Sequence, residues 1–429
     1  MLLIATLLTA CTDNDSFSTA VGNRLTFSED TISFDTVFST VPSVTQVFWV
    51  HNNSADGVRI QTVRLERGTQ SGYRVNVDGT CLNPVGTDFE VRKGDSLLVF
   101  VEVTTSETHA DQPQLVEDNL LFTLESGAEQ RVNLRTWSWD AQKVTSLVVS
   151  RDTVIESAVP IIVYGDGIRV EEGAKLTLRN TDLYFHDGAG IDVFGWMEAS
   201  GCLFRGDRLD RMFDYLPYDR LSGQWRGIRL ACHQPENVNS LVDCEIRNAV
   251  DALVCDSTSL HMVNTIVHNS SGAGVQARHS TLQLSYCQLS NTMGDCLLLE
   301  GCEADVANCT LAQFYPFSAN RGAALRFATA VLPLTLTCNS TLVTGYEDDV
   351  VMGEGHTDSP VSCEYFFKDC ILRTDSVNDP ERFADIIWET PNDSVQGKKH
   401  FKTFDEENLY YDFAIDSISP AFERRIGRM

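Results

Sequence analysis

The sequence has few basic residues for its length. Of 429 residues, 33 are Lys or Arg and 60 are Asp or Glu, so the formal net charge is −27. The basic residues are scattered along the chain and do not form the positive stripe that neutralises nucleic-acid phosphates. We therefore expect no nucleic-acid partner, and the excess of acidic residues indicates an acidic surface.

Long apolar segments are missing as well. The apolar run from Leu2 to Ala10 is far shorter than the ~20 residues that cross a bilayer as a helix. It predicts the apolar core of an export signal at residues 1–10, followed by a tether at 11–22. No Lys or Arg precedes the run, which departs from the usual signal.

The end of this run, LTAC, resembles the lipobox of bacterial lipoproteins. The resemblance implies that Cys11 is acylated, which anchors a chain to a membrane without spanning it. The acidic residues Asp13 and Asp15 resemble the surface-export signal of lipoproteins in the Bacteroidetes. We therefore expect a lipid-anchored protein on the outer face of the outer membrane.

Residues 23–141 alternate apolar and polar side chains in short runs such as TQVFWVHN and SLLVFVEVT, separated by turn sequences such as RKGDS. A period of two at this spacing predicts half-buried antiparallel strands in a β-sandwich. The segment resembles the immunoglobulin-like modules of Bacteroidetes surface lipoproteins, which implies a spacer or docking role.

Long amphipathic helices are absent from residues 144–376, and a repeat takes their place. Eight hexads share a small second residue and an apolar fourth one: NTDLYF at 180, GCLFRG at 201, DCEIRN at 243, NTIVHN at 264, YCQLSN at 286, NCTLAQ at 308, NSTLVT at 339 and DCILRT at 369. A second column of aliphatic residues alternates with them: Ile168, Ile191, Ile228, Leu253, Val275, Leu297, Leu325 and Val350. Two columns with a period of about 22 residues predict a right-handed parallel β-helix of about eight to nine coils.

The second hexad residue is Cys, Thr or Ser in every copy. Residues two and four have the same parity and must face the same side of a strand, which we interpret as the interior. Stacked Cβ atoms lie ~4.8 Å apart, wider than the ~3.8 Å of a disulfide, so mostly reduced thiols are expected. No close CxxC pair and no inward His accompanies the hexads, so neither a metal site nor a cofactor is predicted.

The largest break in the period lies between Gly206 and Ile228 and reads DRLDRMFDYLPYDRLSGQW. Insertions in solenoids are frequent on the functional face. Beside it, the fifth hexad positions carry a strip of cationic and aromatic residues. We predict a glycan-binding site from the strip and the loop: Tyr184, Arg205, Arg247 and His268 on the wall, with Tyr215, Tyr218 and Trp225 on the insertion. The alternative is that the insertion packs its aromatic residues against the coils. A second break, around 313–323, reads FYPFSANRG in its core.

Parallel β-helices include pectate lyases and polygalacturonases, so catalysis is a second hypothesis. A lyase would need a base, and the weak candidates are Arg205 and Arg247, assisted by Asp210 or Asp214. Asn180-Thr181-Asp182 begins like a polygalacturonase motif, but Asp348-Asp349 lies 168 residues further on, so the spacing fails.

The whole chain resembles Bacteroidetes surface lipoproteins that join an immunoglobulin-like module to a pectin-lyase-like β-helix. QWRGI at 224–228 and the SPA at 419–421 carry the more specific likeness, and residues 377–429 resemble the segment that closes such helices. The resemblance implies no activity, because this fold serves binding proteins, enzymes and stalks. A non-catalytic protein that binds a glycan or another envelope component is the preferred hypothesis, and a polysaccharide lyase or hydrolase and a structural stalk or adhesin are the alternatives.

Overall fold

The computed structural model describes residues 16–213, 215–234, 236–354 and 361–429. The predicted signal peptide, Cys11 and Asp214 lie outside these ranges. Within them, no helix has the length and apolar content needed to cross a membrane. The chain divides into two compact units, one ending at Asp140 and the other beginning at Ala141.

The first unit is the predicted β-sandwich, with two five-stranded sheets. In spatial order, one sheet contains Thr26–Phe27, Gln46–His51, Ser96–Val103, Tyr73–Val77 and Thr80–Cys81. The other contains Thr31–Phe38, Glu129–Trp139, Gln114–Leu124, Val58–Leu65 and Val85–Val91. The alternation seen in the sequence is the alternation of burial: Phe48 and Val50 face the core while Val47 and Trp49 face solvent.

The second unit is a parallel β-helix, as predicted. Its coils stack three series of strands, and every pairing between consecutive coils is parallel. We call the series that carries the hexads the hexad face. It contains Gln142–Val149, Ile161–Val170, Asp182–Phe185, Leu203–Gly206, Glu245–Arg247, Ile266–Ser270, Gln288–Thr292, Thr310–Gln313, Leu342–Gly345, Ile371–Leu372 and Ile387–Trp388.

The second face carries the aliphatic column. The first two strands of the hexad face continue into it, and its own strands are Gly190–Val193, Gly227–Leu230, Leu253–Asp256, Val275–Arg278, Leu297–Glu300, Leu325–Ala328 and Val351–Glu354. The third face has ten strands: Thr153–Glu156, Lys175–Arg179, Trp196–Ser200, Val238–Val242, Ser259–Val263, Thr281–Ser285, Glu303–Ala307, Leu334–Asn339, Cys363–Lys368 and Phe383–Ala384. Between Thr153 and Glu354, the described residues form eight complete coils, and in the first of them one continuous strand, Ile161–Val170, serves two faces.

A left-handed residue opens each hexad and turns the chain from the third face into the hexad face. Asn180, Asp243 and Asn308 have φ angles of +44°, +52° and +52°. Asn, Asp and Gly tolerate this region best, which explains why they are frequent at the first position. The next side chain then closes the corner: the Thr181 hydroxyl donates to the Arg179 carbonyl at 2.7 Å, and the Cys309 thiol to the Ala307 carbonyl at 3.3 Å.

One coil corrects the predicted register. The residue with positive φ is Ser340, not Asn339, and the buried corner side chain is Thr341. The hexad therefore begins one residue later than predicted. In the same coil the second column continues at Val351 instead of Val350, because Leu325 pairs with Val351. The alignment placed Ser340 in the small second position, but Thr341 is also small and is the residue that occupies the buried corner.

The corner cysteines are packed thiols. None of the twelve cysteines in the described ranges forms a disulfide. The two sulfur atoms of Cys338 and Cys370 are 3.9 Å apart, about twice the length of an S–S bond. Burial raises the pKa of Cys296 to about 12, so this thiol stays protonated and neutral.

The contacts of the second hexad residue predict which substitutions are tolerated at that position. The Cys309 thiol donates to Ala307 and lies between Cys287 and Thr341 in the stack, so Cys309→Ala should lower the free energy of unfolding by about 1–3 kcal/mol. Cys309→Thr should cost less, because Thr fills the same slot at 265 and 341. Denaturant unfolding checks both, with the exposed Cys81→Ala as a control expected within about 0.5 kcal/mol of wild type. Equal losses for Ala at 309 and at 81 would contradict the corner role.

The C-terminal segment does more than close the last coil. Phe383 and Trp388 pack against the aromatic core at the end of the helix, as a cap does. The chain then forms a short 3-10 turn at Gly397–His400, the hairpin strands Phe401–Asp405 and Tyr410–Ile415 and the helix Pro420–Arg424. These elements lie along the outside of the hexad face, where their apolar residues form a separate small core with outward-facing strand residues: Ala312, Phe314, Leu342, Ile371, Phe401, Phe413, Ile415, Ala421 and Ile426.

Candidate functional site

The insertion between Gly206 and Ile228 folds onto the hexad face. It contains a small antiparallel pair, Arg211–Phe213 with Leu216–Pro217, and a 3-10 turn at Tyr218–Arg220. The Asn248 amide donates to the carbonyls of Asp219 and Leu221, both at 2.8 Å, and ties the turn to the coils. At the end of the insertion, Gly227 has φ +101° and a Cβ atom would lie 1.7 Å from the Asp251 carbonyl oxygen, so only Gly fits.

Trp225 has a packing role instead of the predicted contact with a ligand. Its side chain is 1% exposed and stacks on Phe185 with ring centroids 4.3 Å apart. The indole N–H donates to the Arg247 carbonyl at 2.8 Å. The ring is thus enclosed between the coils and the insertion and cannot stack on a sugar from solvent. The packing alternative holds for this residue.

The cationic strip is neutralised within the protein. Arg205 and Arg247 both direct an Nη1 atom at the Asp219 carboxylate, at 2.8 and 3.0 Å, and Arg247 Nη2 lies 2.6 Å from Glu245. The Arg205 guanidinium also lies 5.6 Å from the Tyr184 ring centroid. Both arginines are wall residues under the insertion, and they are held by the 3-10 turn that carries Asp219.

The two arginines stabilise the charged form of the Asp219 carboxylate. Burial acts to raise the pKa of Asp219, but the guanidiniums of Arg205 and Arg247 outweigh it and hold that pKa below its ordinary value. Both guanidiniums are engaged in ion pairs within the protein, so neither is free to approach a substrate as the base of a lyase. The other catalytic candidate in the described ranges, Asp210, is occupied by two 2.6 Å contacts with Arg208.

The two insertion tyrosines lie in different surroundings. Tyr218 is covered by the Arg208 guanidinium, 3.8 Å above its ring centroid. Tyr215 is 76% exposed and stacks on Phe213, with ring centroids 5.6 Å apart. These two rings are the part of the insertion that presents an aromatic surface to solvent.

His268, like Arg247, lines a cavity next to the hexad face. Its Nδ1 atom lies 2.9 Å from the Ser290 hydroxyl, and its ring packs 6.0 Å from Phe413 of the C-terminal hairpin. Burial and, secondarily, the positive charge of Arg247 lower the pKa of His268 to about 3. The folded protein therefore holds this imidazole neutral, whereas the unfolded chain protonates it near pH 6.5.

This difference predicts a pH dependence of stability. Because the unfolded state binds the extra proton, His268 should reduce stability as the pH falls from about 6.5 towards 3. When the pH is lowered from 7 to 5, the free energy of unfolding should fall less in His268→Gln than in wild type, by on the order of 1 kcal/mol. Thermal or denaturant unfolding at the two pH values measures this, with the exposed His233→Gln as the control. A parallel loss in wild type and His268→Gln would contradict the assigned environment.

Three separate segments meet over His268 and enclose a cavity of about 90 Å³. The insertion supplies Asp219 and Arg220, the second period break supplies Pro316, and the hairpin supplies residues 409–411. The hexad face supplies the floor: Arg247, His268, Asn269 and Asn291. A hydroxyl contact of 2.8 Å between Ser222 and Tyr315 joins the two period breaks beside it.

Several buried polar atoms of this wall lack a partner within the described residues. They include Arg247 Nε, the Asn291 side-chain oxygen and the Tyr411 hydroxyl. Burial, followed by the carboxylates of Glu406 and Asp405, raises the pKa of Tyr411 to about 12, so its hydroxyl is a protonated donor. Buried polar groups are normally hydrogen-bonded, so these atoms indicate that the cavity accommodates a polar molecule or group, water included.

A wider groove of about 350 Å³ shares Pro316, Leu409 and Tyr411 with the cavity. Its other walls are Arg321, Tyr346 and Glu406. The Tyr346 hydroxyl donates to Glu406 at 2.6 Å, and the Arg321 guanidinium covers the Tyr346 ring at 4.6 Å. We call the cavity and this groove together the hexad cleft.

The sequence located part of the hexad cleft. Arg247 and His268 belong to both the predicted site and the cleft, and the 313–323 break was noticed as an irregularity. Asn291, Tyr346, Tyr410 and Tyr411 were missed. The strand register pairs His268 with Ser290, so Asn291 lies one residue further along the neighbouring strand. No local signal in the sequence brings the C-terminal hairpin back over these coils.

A Ser–His–Glu arrangement elsewhere in the unit has the distances of a hydrolase triad. His400 lies 2.7 Å from the Ser419 hydroxyl and 2.7 Å from Glu389. Ser419, however, is the N-cap of the helix Pro420–Arg424, and its hydroxyl accepts the Ala421 N–H, which is a structural role. The group serves to fasten the C-terminal segment. In the described ranges, no cluster of three or more His, Cys, Asp or Glu could hold a metal ion.

Comparison with known proteins gives no family. No protein-family model and no curated protein matches the chain. Among solved structures, the catalytic domain of the GH87 alpha-1,3-glucanase is 8% identical, with 82% of this chain and 89% of that chain covered and a TM-score of 0.33. The Dettilon tailspike protein is 10% identical, with 58% and 62% covered and a TM-score of 0.27.

A family 123 glycoside hydrolase from Clostridium perfringens is 7% identical, with 28% of this chain and about a quarter, 26%, of that chain covered and a TM-score of 0.20. TM-scores this low transfer no function.

Proposed function

We propose that this protein is a lipid-anchored surface protein that binds a glycan in the hexad cleft without cleaving it. The observation that carries the proposal is the cleft itself: Arg247, Asn291 and Tyr411, each with an unpartnered buried polar atom, line the cavity, and Tyr411 also lines the adjoining groove together with Tyr346. Sugars present both hydroxyls and an apolar ring face, so they match such a mixture of donors, acceptors and aromatic side chains.

The anchoring is proposed from the N-terminal sequence. LTAC places Cys11 where a lipoprotein is acylated, and Asp13 and Asp15 follow it as in surface-exported lipoproteins of the Bacteroidetes. A lipid at this position would hold the protein on the outer face of the outer membrane, where its partners would be a polysaccharide or another envelope protein.

Binding without cleavage is proposed because the cationic candidates are occupied. Arg205 and Arg247 share the Asp219 carboxylate, and Asp210 is paired with Arg208. General acid–base catalysis needs a group that can exchange a proton near the operating pH, and an ion-paired guanidinium does not do so.

The test is a combined binding and digestion screen on the chain that follows Cys11. A glycan array measures bound ligand, and reducing-end and unsaturated-product assays measure new chain ends. We expect bound glycan and no new ends. New ends would replace this proposal by a lyase or hydrolase, and the absence of any bound glycan would favour a stalk or adhesin.

A further inference from the structure

The β-sandwich has a feature that the hexad cleft does not explain. The outer side of one sheet carries three rows of side chains across neighbouring strands. Trp49 and Leu98 form an apolar row, and Val47, Phe100 and Asn76 form a mixed row. For strands with one solvated face, polar residues are expected at these positions. Trp49 and Phe100 are instead 45% and 37% exposed.

The third row is polar and already ordered. Glu102 accepts a hydrogen bond from the Thr45 hydroxyl at 2.7 Å and lies 3.1 Å from Arg74 Nη2. Arg74 also donates to the Thr104 hydroxyl at 2.9 Å. These side chains are therefore held in place beside the aromatic ring of Phe100, and the Arg74–Glu102 pair carries no net charge.

A pocket of about 520 Å³ opens between the mixed and polar rows. Phe100 and Leu82 give it apolar walls, while Arg74, Asn76 and Glu102 give it hydrogen-bonding groups. This volume lies in the range of small-ligand sites, which are mostly apolar with a few placed polar groups. Its lining also includes Cys81, an exposed thiol.

We propose that this pocket, the sandwich pocket, is a second and independent binding site for a neutral oligosaccharide. A pyranose ring stacks its apolar face on Phe100, and its hydroxyls exchange hydrogen bonds with Glu102, Arg74 and Asn76. A neutral ligand fits because the charges of Arg74 and Glu102 offset each other. An apolar peptide would remove water from the Arg74–Glu102 ion pair without replacing the hydrogen bonds that these groups make with solvent, which is costly.

Cys81 provides a local readout for the test. Alkylation of the full chain by iodoacetamide is followed by mass spectrometry, with and without hexaoses of the cello-, malto-, xylo- and manno- series. At least one hexaose should slow modification of Cys81 fivefold or more, while Cys363 of the β-helix unit reacts at an unchanged rate. If none of the four sugars protects Cys81, the proposal is overturned.

Matched variants assign the protection to the pocket. Phe100→Ala should lower the affinity for the protecting sugar about tenfold, as expected for loss of an aromatic stacking contact. Glu102→Gln should also weaken it, because a carboxylate acceptor is lost. Trp137→Ala, which removes an aromatic residue 43% exposed on the other sheet, should leave protection unchanged. Protection that survives Phe100→Ala would overturn the proposal. Tyr411→Phe in the hexad cleft should not alter it, so the two sites can fail separately.

Discussion

Arg373→Met should lower the free energy of unfolding of the β-helix unit by about 3–5 kcal/mol, because it leaves a buried carboxylate without its cation. Arg373 is 5% exposed and Glu389 is 3% exposed. Arg373 Nη1 lies 2.5 Å from Glu389, and Arg373 Nε donates to the Glu347 carbonyl at 2.6 Å. Glu389 also accepts hydrogen bonds from the Thr344 hydroxyl and the Gly397 N–H.

This cluster connects the last coils to the C-terminal segment. Burial acts to raise the pKa of Glu389, but its hydrogen bonds with His400 and Arg373 outweigh burial and keep the pKa below its ordinary value. The carboxylate is therefore charged at neutral pH and depends on Arg373. Adding Glu389→Gln to Arg373→Met should recover part of the lost stability, since it removes the unpaired charge.

Denaturant unfolding of the two variants and wild type measures these changes. Arg382→Met is the control, because that side chain is about half exposed and its contacts, with Asp379 at 3.8 Å and the Tyr365 hydroxyl at 3.1 Å, lie at the surface. An exposed pair contributes about 0–1 kcal/mol, so the control should stay near wild type. Similar losses for Arg373→Met and Arg382→Met would show that the buried cluster does not hold the C-terminal segment.

Trp225→Ala should be the second strongly destabilising change, with a loss of about 3–5 kcal/mol. The substitution removes the ring stacked on Phe185 and leaves a cavity between the insertion and the coils. Trp225→Phe should cost less, about 1–3 kcal/mol, because a ring remains while the Arg247 carbonyl loses its donor.

Limited proteolysis distinguishes this local role from general instability. With the base of the insertion loosened, Trp225→Ala should be cut within residues 207–226 faster than wild type. Tyr215→Ala, which changes an exposed ring on the same insertion, should be cut at the wild-type rate. Unchanged cleavage in Trp225→Ala would contradict the packing role and return Trp225 to the ligand-binding candidates.

The β-helix could be predicted because its signal repeats. Inward Cys, Thr and aliphatic residues recur at a fixed period, so the same sequence pattern can be recognised independently in each coil. The register was wrong in one hexad, which begins at Ser340 and not at Asn339. Both residues are compatible with a left-handed backbone, and only the structure distinguishes them.

The candidate site was predicted less completely, because it depends on contacts that are distant in sequence. Arg205 was expected to face a ligand, yet it is paired with Asp219 from an insertion whose path the sequence does not specify. Tyr411 lines the same cavity as His268 because the C-terminal segment runs back along the hexad face. Apolar residues such as Phe401 and Phe413 drive that packing, but their pattern does not say which coils they cover.

The most direct test of the hexad cleft is a calorimetric titration of the best array glycan into wild type, Tyr411→Phe and the control Tyr286→Phe, whose ring is half exposed away from the cleft lining. The Tyr411 hydroxyl has no partner within the described residues, so binding should give it one and its removal should weaken affinity about five- to tenfold. Tyr286→Phe should bind as wild type does. Equal affinities for all three proteins would contradict glycan binding in the hexad cleft.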